Sequence, residues 1–290
     1  MSTGIDVLVY PDGPEDSIPG FEQVDAKPGD ALLIVNFFGL QTMRSIGWTD
    51  RSIVEIIEDH THDPWSDWAW TSNADWCVAS LRKVLPVPDG GVLWSPSDQP
   101  LPHTVPVSAE RRYASLEKLT AMVLKSLYLE GQLVEKEVFR RLAISGESCI
   151  ASGEISGMPE WTENLVHSFP VKLWRERRCS NHQVLYEALA GVPWLTLLLP
   201  EDNSGACPFS GILVFDSQEC RTYVHERLIA SRIYPAILWP LDEPVIDGIH
   251  QKYVDLSNRM LSIHCDMRYS EHEMEYIAAQ IRKFGEEYYR

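Results

Sequence analysis

The chain has 290 residues, 44% of them hydrophobic, which is enough for one large or two modest domains around a real core. Lys and Arg total 25 against 42 Asp and Glu, a formal charge of −17, and residues 1–82 carry −10 of it. A surface this acidic repels phosphate backbones and anionic lipid heads, so neither nucleic acid nor a membrane is expected as a partner.

No apolar run approaches the length of a membrane span, and the first six residues lack the regions of a signal peptide, so a cytoplasmic protein is expected. Residues 5–10 (IDVLVY) alternate apolar and polar and predict a first strand. Residues 31–38 (ALLIVNFF) form a near-continuous apolar run closed by Gly39, and residues 53–57 (IVEII) form another that runs into Glu58 and Asp59. Residues 76–79 (WCVA) and 90–94 (GGVLW) follow. Short unbroken runs of this kind suit strands buried on both faces of a parallel sheet covered by helices. Polar residues gather just past the strand ends, the edge at which open α/β sheets bind ligands.

Residues 97–108 are rich in Pro and Ser and predict a linker. A helical stretch is expected from about residue 110 to 142, with Leu116, Leu119, Val123, Leu127 and Leu129 as its apolar stripe. Residues 146–157 are small and polar and mark a second boundary. Beyond it the pattern predicts a helix over 161–189, strands at 194–199 and 211–215, a helix over 218–231 and a short apolar run at 236–239. A closing helix starts at Ser270, which forms a capping-box pattern with Glu273 and leads a face of Met274, Ile277 and Ile281. The expected fold class is α/β: a mostly parallel large domain with the long helix over residues 1–150, and a smaller C-terminal α+β domain over 151–290. The six cysteines, at 77, 149, 179, 207, 220 and 265, have no Cys-x-x-Cys spacing, so isolated, reduced, mostly buried thiols are expected.

Two segments carry chemistry. Residues 57–65 (IEDHTHDPW) place acids and imidazoles at the end of a buried strand. His60 and His62, two apart in an extended segment, point to one side and with Asp59 or Asp63 have the donors of a metal site. A lone His-x-His is a weak signal, and turn hydrogen bonds satisfy such a strand end without an ion, so no metal is expected. Residues 80–91 (SLRKVLPVPDGG) place Lys83 after the next strand and before a tight turn. Ser80 and Lys83 also have the Ser-x-x-Lys spacing of serine acyl-enzymes, but Ser97-Asp98-Gln99 is half a companion motif and no Lys-Thr-Gly occurs. Lys83 by itself reads as an exposed loop lysine. Together, a carboxylate at one strand end and a lysine at the next are what pyridoxal phosphate needs. Its aldehyde forms a Schiff base with the amine, its ring nitrogen stays protonated beside the carboxylate, and the displaced lysine carries protons.

The sequence IIEDHTHD (56–63) followed by ADWCVASLRKVLPVPDGGVLW (74–94) resembles the DegT/StrS family of fold-type I, pyridoxal-phosphate-dependent sugar aminotransferases. By this resemblance Asp59 pairs with the ring nitrogen, His62 lies near the ring hydroxyl, Ser80 touches the phosphate and Lys83 is the Schiff-base lysine. VNFFG (35–39) is similar to the family's strand end before its glycine, Asp89-Gly90-Gly91 to the turn after the lysine, and residues 256–281 to its closing strand and helix. The resemblance implies pyridoxal 5'-phosphate as cofactor and a homodimer. It also implies amino-group transfer from a small-molecule amino donor to a keto-sugar or similar oxo acceptor. The family's phosphate-cradling helix start and ring-stacking aromatic have no counterpart ahead of residue 5, so a shortened chain is expected. The family's Asn-Tyr-Arg motif is not recognisable at 153–161, and the Ser-to-Lys spacing is shorter than the commoner form. The alternative is a shortened, catalytically weak relative acting as a binding or partner subunit. Trp65, Trp68, Trp70 and Trp76 are expected to pack, and Arg175-Glu176-Arg177-Arg178 to be a solvated helix face. Arg268 is a minor candidate for a fork on a substrate carboxylate or phosphate.

Overall fold

Strands β1 (Asp30–Val35), β2 (Val54–Asp59), β3 (Trp76–Ser80) and β4 (Gly91–Trp94) lie in chain order in one sheet of the computed structural model, which describes residues 4–16, 18–44, 54–152, 154–200, 205–243 and 248–290. The first three are parallel, and Val35, Asp59 and Val78 stand side by side, so β1 and β2 finish level and β3 runs two residues further to Ser80; β4 returns antiparallel. Side chains alternate across a strand, and one face of this sheet is dry. Ile34, Ile56 and Cys77 pack there against Phe21, Trp68 and Ala74. The other face is more open than the unbroken apolar runs imply: Leu33 is 49% exposed, and Leu93 of β4 is exposed too. Residues 5–10 form no strand. They are extended, with Ile5, Val7 and Leu8 exposed, and their alternating pattern finds no ladder among the described residues. Tyr10 anchors the end of the segment, through its hydroxyl to the Leu33 carbonyl and its ring edge-on to Phe21.

A short helix, α1 (Asp67–Thr71), lies between β2 and β3, and the expected long helix is two helices, α2 (Ala109–Leu129) and α3 (Lys136–Ser152), folded into a hairpin. Gly131, at φ +82°, ends α2, and the Gln132 and Gly131 amides bond to the Leu127 and Tyr128 carbonyls. That left-handed glycine cap stops the helix where the apolar stripe alone suggested continuation. The stripe itself faces outward: Leu116, Val123, Leu127 and Leu129 are exposed. The packed side of α2 is small, with Ala114 and Ala121, so α3 approaches closely; a Cβ on Gly146 would lie 2.7 Å from the Ala114 carbonyl oxygen.

The helix expected over 161–189 is likewise divided into α4 (Glu160–Ser168) and α5 (Val171–Leu189). Pro170 caps α5, and its missing amide and fixed φ account for the break. A second, antiparallel sheet follows in the order β5 (Leu195–Leu197), β6 (Gly211–Phe215), β7 (Met260–Ile263). The run 236–239 adds only one bridge, Ala236 to Ser262. Every residue of β6 is buried. Leu213 and Phe215 face the main core with α5, α6 (Gln218–Ala230) and α8 (Glu271–Tyr288), while Ile212 and Val214 face Phe38, Leu40 and Leu256. Helix α7 (Gln251–Arg259) leads into β7. Ser270 and Glu273 make the predicted capping box, and Met274, Ile277 and Ile281 are buried beneath it. No helix among the described residues is long and apolar enough to cross a membrane.

Candidate active site at the carboxyl edge of the parallel sheet

β1, β2 and β3 point the same way, so the residues that follow them gather at one edge of the sheet. Asp59 is the last residue of β2, half-buried, with Oδ1 accepting the Thr61 amide at 2.8 Å. Thr61 Oγ1 in turn accepts the amide of Ser80, the last residue of β3, at 3.0 Å. Thr61 thereby fixes the Asp59 carboxylate and stitches two strand ends together. It went unnoticed in the sequence, although an Asp followed two residues later by a turn amide is an Asx-turn signal. Thr61→Val should lower the unfolding free energy by about 1–2 kcal/mol, because the Ser80 amide loses its acceptor. Thr61→Ser should restore most of that loss in denaturant titrations.

Lys83 closes a 3-10 turn, Leu81–Lys83, whose start is held by the Leu81 amide on the Gly90 carbonyl. Its side chain is exposed and makes no hydrogen bond or ion pair with a described residue. The Ser80 hydroxyl likewise takes no part in capping that turn. The following turn is rigid. Gly90 has φ +109°, and a Cβ there would meet the Met158 sulfur at 2.7 Å. Asp89, buried, accepts the hydroxyls of Thr162 (2.7 Å) and Ser115 (3.2 Å), tying the turn to α4 and α2.

His62 lies between Phe38 and Phe209, with ring centroids at 5.7 and 4.7 Å, and its Nδ1 accepts the Phe38 amide at 3.1 Å. The neutral ring therefore carries its proton on Nε2. Phe38 and Gly39 are both left-handed, and a Cβ on Gly39 would lie 2.6 Å from the Cys207 carbonyl oxygen, so this turn requires its glycine. Burial, reinforced by the Lys83 ammonium, pushes the His62 pKa down to about 4, while Asp59 and the Asn36 backbone pull the other way. An imidazole whose folded pKa is depressed contributes stability above its unfolded value near 6.5, lost as pH falls toward 4. The loss is of order 3 kcal/mol for a shift of this size. His62→Gln keeps an acceptor for the Phe38 amide and should flatten the slope of stability between those two pH values.

The His60–His62 pairing does not form. The chain turns at Thr61, so His62 meets Phe38 while His60 stays on the strand face beside Glu58. Arg175 departs from expectation as well. It is not solvated but forks onto Asp63, with Nε to Oδ1 at 3.1 Å and Nη2 to Oδ2 at 2.9 Å, and Asp63 Oδ2 also takes the Cys207 amide. Arg178 is buried one turn on. The spacing 175, 178, 182, 185, 189 was the available signal, because Leu185 and Leu189 mark the same face as core. Burial pushes the Asp63 carboxyl up, and the Arg175 guanidinium offsets part of that. Nor are the cysteines all isolated: the Cys179 thiol donates to the Ala206 carbonyl at 3.9 Å, and the neighbouring Cys207 first, then the Arg175 guanidinium, draw its pKa down to about 7 against burial. Arg268 is not free for a substrate, since its fork is closed on Asp266 at 2.8 and 2.7 Å. Trp68 is core and Trp65 packs beside Leu81, but Trp70 is exposed.

A mostly parallel sheet with polar residues at its carboxyl edge, followed by a smaller antiparallel sheet, defines an α/β protein, and solved aminotransferases share its fold. Solved structures agree. TlmJ, an aminotransferase from Streptoalloteichus hindustanus, superposes with a TM-score of 0.56 at 15% identity over 90% of this chain and 67% of its own. DesI, solved in the presence of its TDP-sugar product, gives 0.57 at 15% identity over 94% and 66%. A Streptococcus pneumoniae protein described as a sugar aminotransferase, in its PLP form, gives 0.55 at 13% identity over 92% and 71%. The chain thus spans about two thirds of the length of the structures it resembles. No family model and no curated protein sequence matches it.

Proposed function

We propose that the chain binds pyridoxal 5'-phosphate at Asp59, His62, Ser80 and Lys83 and acts as an aminotransferase on an amino-acid donor and a keto-sugar or similar oxo acceptor. The observation that carries this reading is that a strand-end carboxylate, the imidazole of His62 and, on the turn after β3, a lysine with no partner among the described residues follow the carboxyl ends of neighbouring parallel strands. The residues suit the cofactor. The Lys83 amine has no competing partner among the described residues, and Asp59 has one oxygen committed to Thr61 and the other without a described partner.

When bound, pyridoxal phosphate supplies an electron sink for the substrate Cα. Lys83 holds it covalently and, once freed, moves the proton at Cα. Asp59 keeps a proton on the ring nitrogen. The Nε2–H of His62 donates toward the ring hydroxyl oxygen, a role open to it because Nδ1 is already taken. The Ser80 hydroxyl donates to the phosphate. The division at residue 150, the cytoplasmic location and the homodimer belong to the same proposal, and the exposed apolar side of α2 supports the last of these.

The test is direct. Purified chain is incubated with pyridoxal phosphate, reduced with borohydride and mapped by peptide mass. The expected adduct sits on Lys83, with visible absorbance before reduction. Neither signal in a folded protein overturns the catalytic reading and leaves the binding or partner subunit.

A further inference from the structure

On the face of β2 opposite Asp59 lies a second cluster that the cofactor reading does not use. Glu58 and Cys77 are register partners on neighbouring strands, and His60 follows Glu58 by two residues with its amide still on the Val78 carbonyl, so all three side chains leave one face. His60 Nε2 is 2.9 Å from Glu58 Oε2, and Cys77 Sγ is 3.7 Å from the same oxygen. The three donor atoms lie within 4.8 Å of one another. Exposure is 6% for Glu58 and 0% for His60 and Cys77. Around them are Ile34, Ile56, Ala74 and Trp68, with the Trp68 ring edge-on to the imidazole at 4.9 Å.

An acid, a thiol and an imidazole inside an apolar cluster are costly unless their polar atoms are matched. Here the matching is incomplete: His60 Nδ1 and the neighbouring Trp68 Nε1 are buried without a partner. A divalent cation would balance one carboxylate and one thiolate to zero net charge. Metal–ligand bonds of about 2.0–2.3 Å place tetrahedral donors roughly 3–4 Å apart, so separations of 2.9 and 3.7 Å within a 4.8 Å cluster need only small side-chain adjustments to bind one ion. Sulfur with imidazole selects a zinc-like ion over calcium or magnesium, which take oxygen.

We propose that Glu58, His60 and Cys77 bind a zinc-class divalent cation beneath the sheet, tying β2 to β3 behind Asp59. This reverses the expectation of no metal drawn from the sequence, and it is independent of pyridoxal phosphate binding. A site closed to solvent fills as the chain folds, so the full chain is expressed in cobalt-supplemented medium and purified. The expected result is one Co2+ per chain by elemental analysis, with thiolate-to-cobalt charge-transfer absorption. Cys77→Ser should abolish that absorption, while Cys179→Ser, in the other thiol cluster, should leave it. Wild-type protein with no stoichiometric cobalt overturns the proposal and leaves a metal-free hydrogen-bonded trio. So does an absorption that survives Cys77→Ser or disappears in Cys179→Ser. Should Cys77→Ser fail to fold, the wild type and Cys179→Ser decide between these outcomes.

Discussion

Lys83→Ala is expected to remain folded, lose all borohydride-trapped cofactor, and lose amino-transfer rate by about 10²–10⁴-fold, the span a positioned proton-transfer group supplies. Retained folding follows from the native environment of the side chain. It is exposed and bonded to no described residue, so its removal should change stability by about 0.5 kcal/mol or less. The readout separates two roles. If Lys83 were only a cation beside His62, the variant would still form an adduct on another lysine and show an altered affinity alone. If it holds the cofactor, the mass increment vanishes from its peptide. A small shift in the His62 titration accompanies either case, since the Lys83 ammonium is one of the groups depressing that imidazole; without it the His62 pKa should move back toward 6.5.

Much of this arrangement was legible in the chain, for reasons that can be named. The strands of the first sheet are short apolar runs ended by polar residues, and β6, buried from end to end, could be located to the residue because both its faces are apolar. The closing helix was announced by Ser270 and Glu273. Misreadings arose where a local pattern needs a partner to acquire meaning. Residues 5–10 have strand periodicity but no ladder, and the stripe on α2 has helical periodicity but faces water. Gly131 and Pro170 were visible and under-weighted, and each divides a helix. At the site, the sequence already pairs Asp59 with Lys83 as a carboxylate and a lysine at successive strand ends. Thr61, which holds the first in place, and Asp63 with Arg175, separated by more than a hundred residues, emerge only when the fold brings them together. Cys77 is a further example: the sequence shows a thiol in a strand, and the register puts it beside Glu58.

The Arg175–Asp63 pair is where the second sheet's lead-in meets the site, and breaking it should be the most destabilising single change considered. Arg175→Ala is expected to lower the unfolding free energy by about 3–5 kcal/mol, since it strands a buried carboxylate that keeps only the Cys207 amide. The pH dependence gives the cause away. Burial already pushes the Asp63 carboxyl up, and without the guanidinium it rises further. An acid with a raised folded pKa binds more protons folded than unfolded, so stability falls as pH rises through that range, and the deficit relative to wild type is smallest in acid. The slope is opposite in sign to that from His62, so the difference between variant and wild type isolates it. Adding Asp63→Asn to Arg175→Ala removes the stranded charge and should recover part of the loss at neutral pH; a double variant no more stable than the single one would mean the guanidinium acts through packing instead. Because Asp63 follows His62 directly and its carboxylate holds the Cys207 amide against the turn at Gly39, the same variant should also weaken pyridoxal phosphate uptake without touching Lys83.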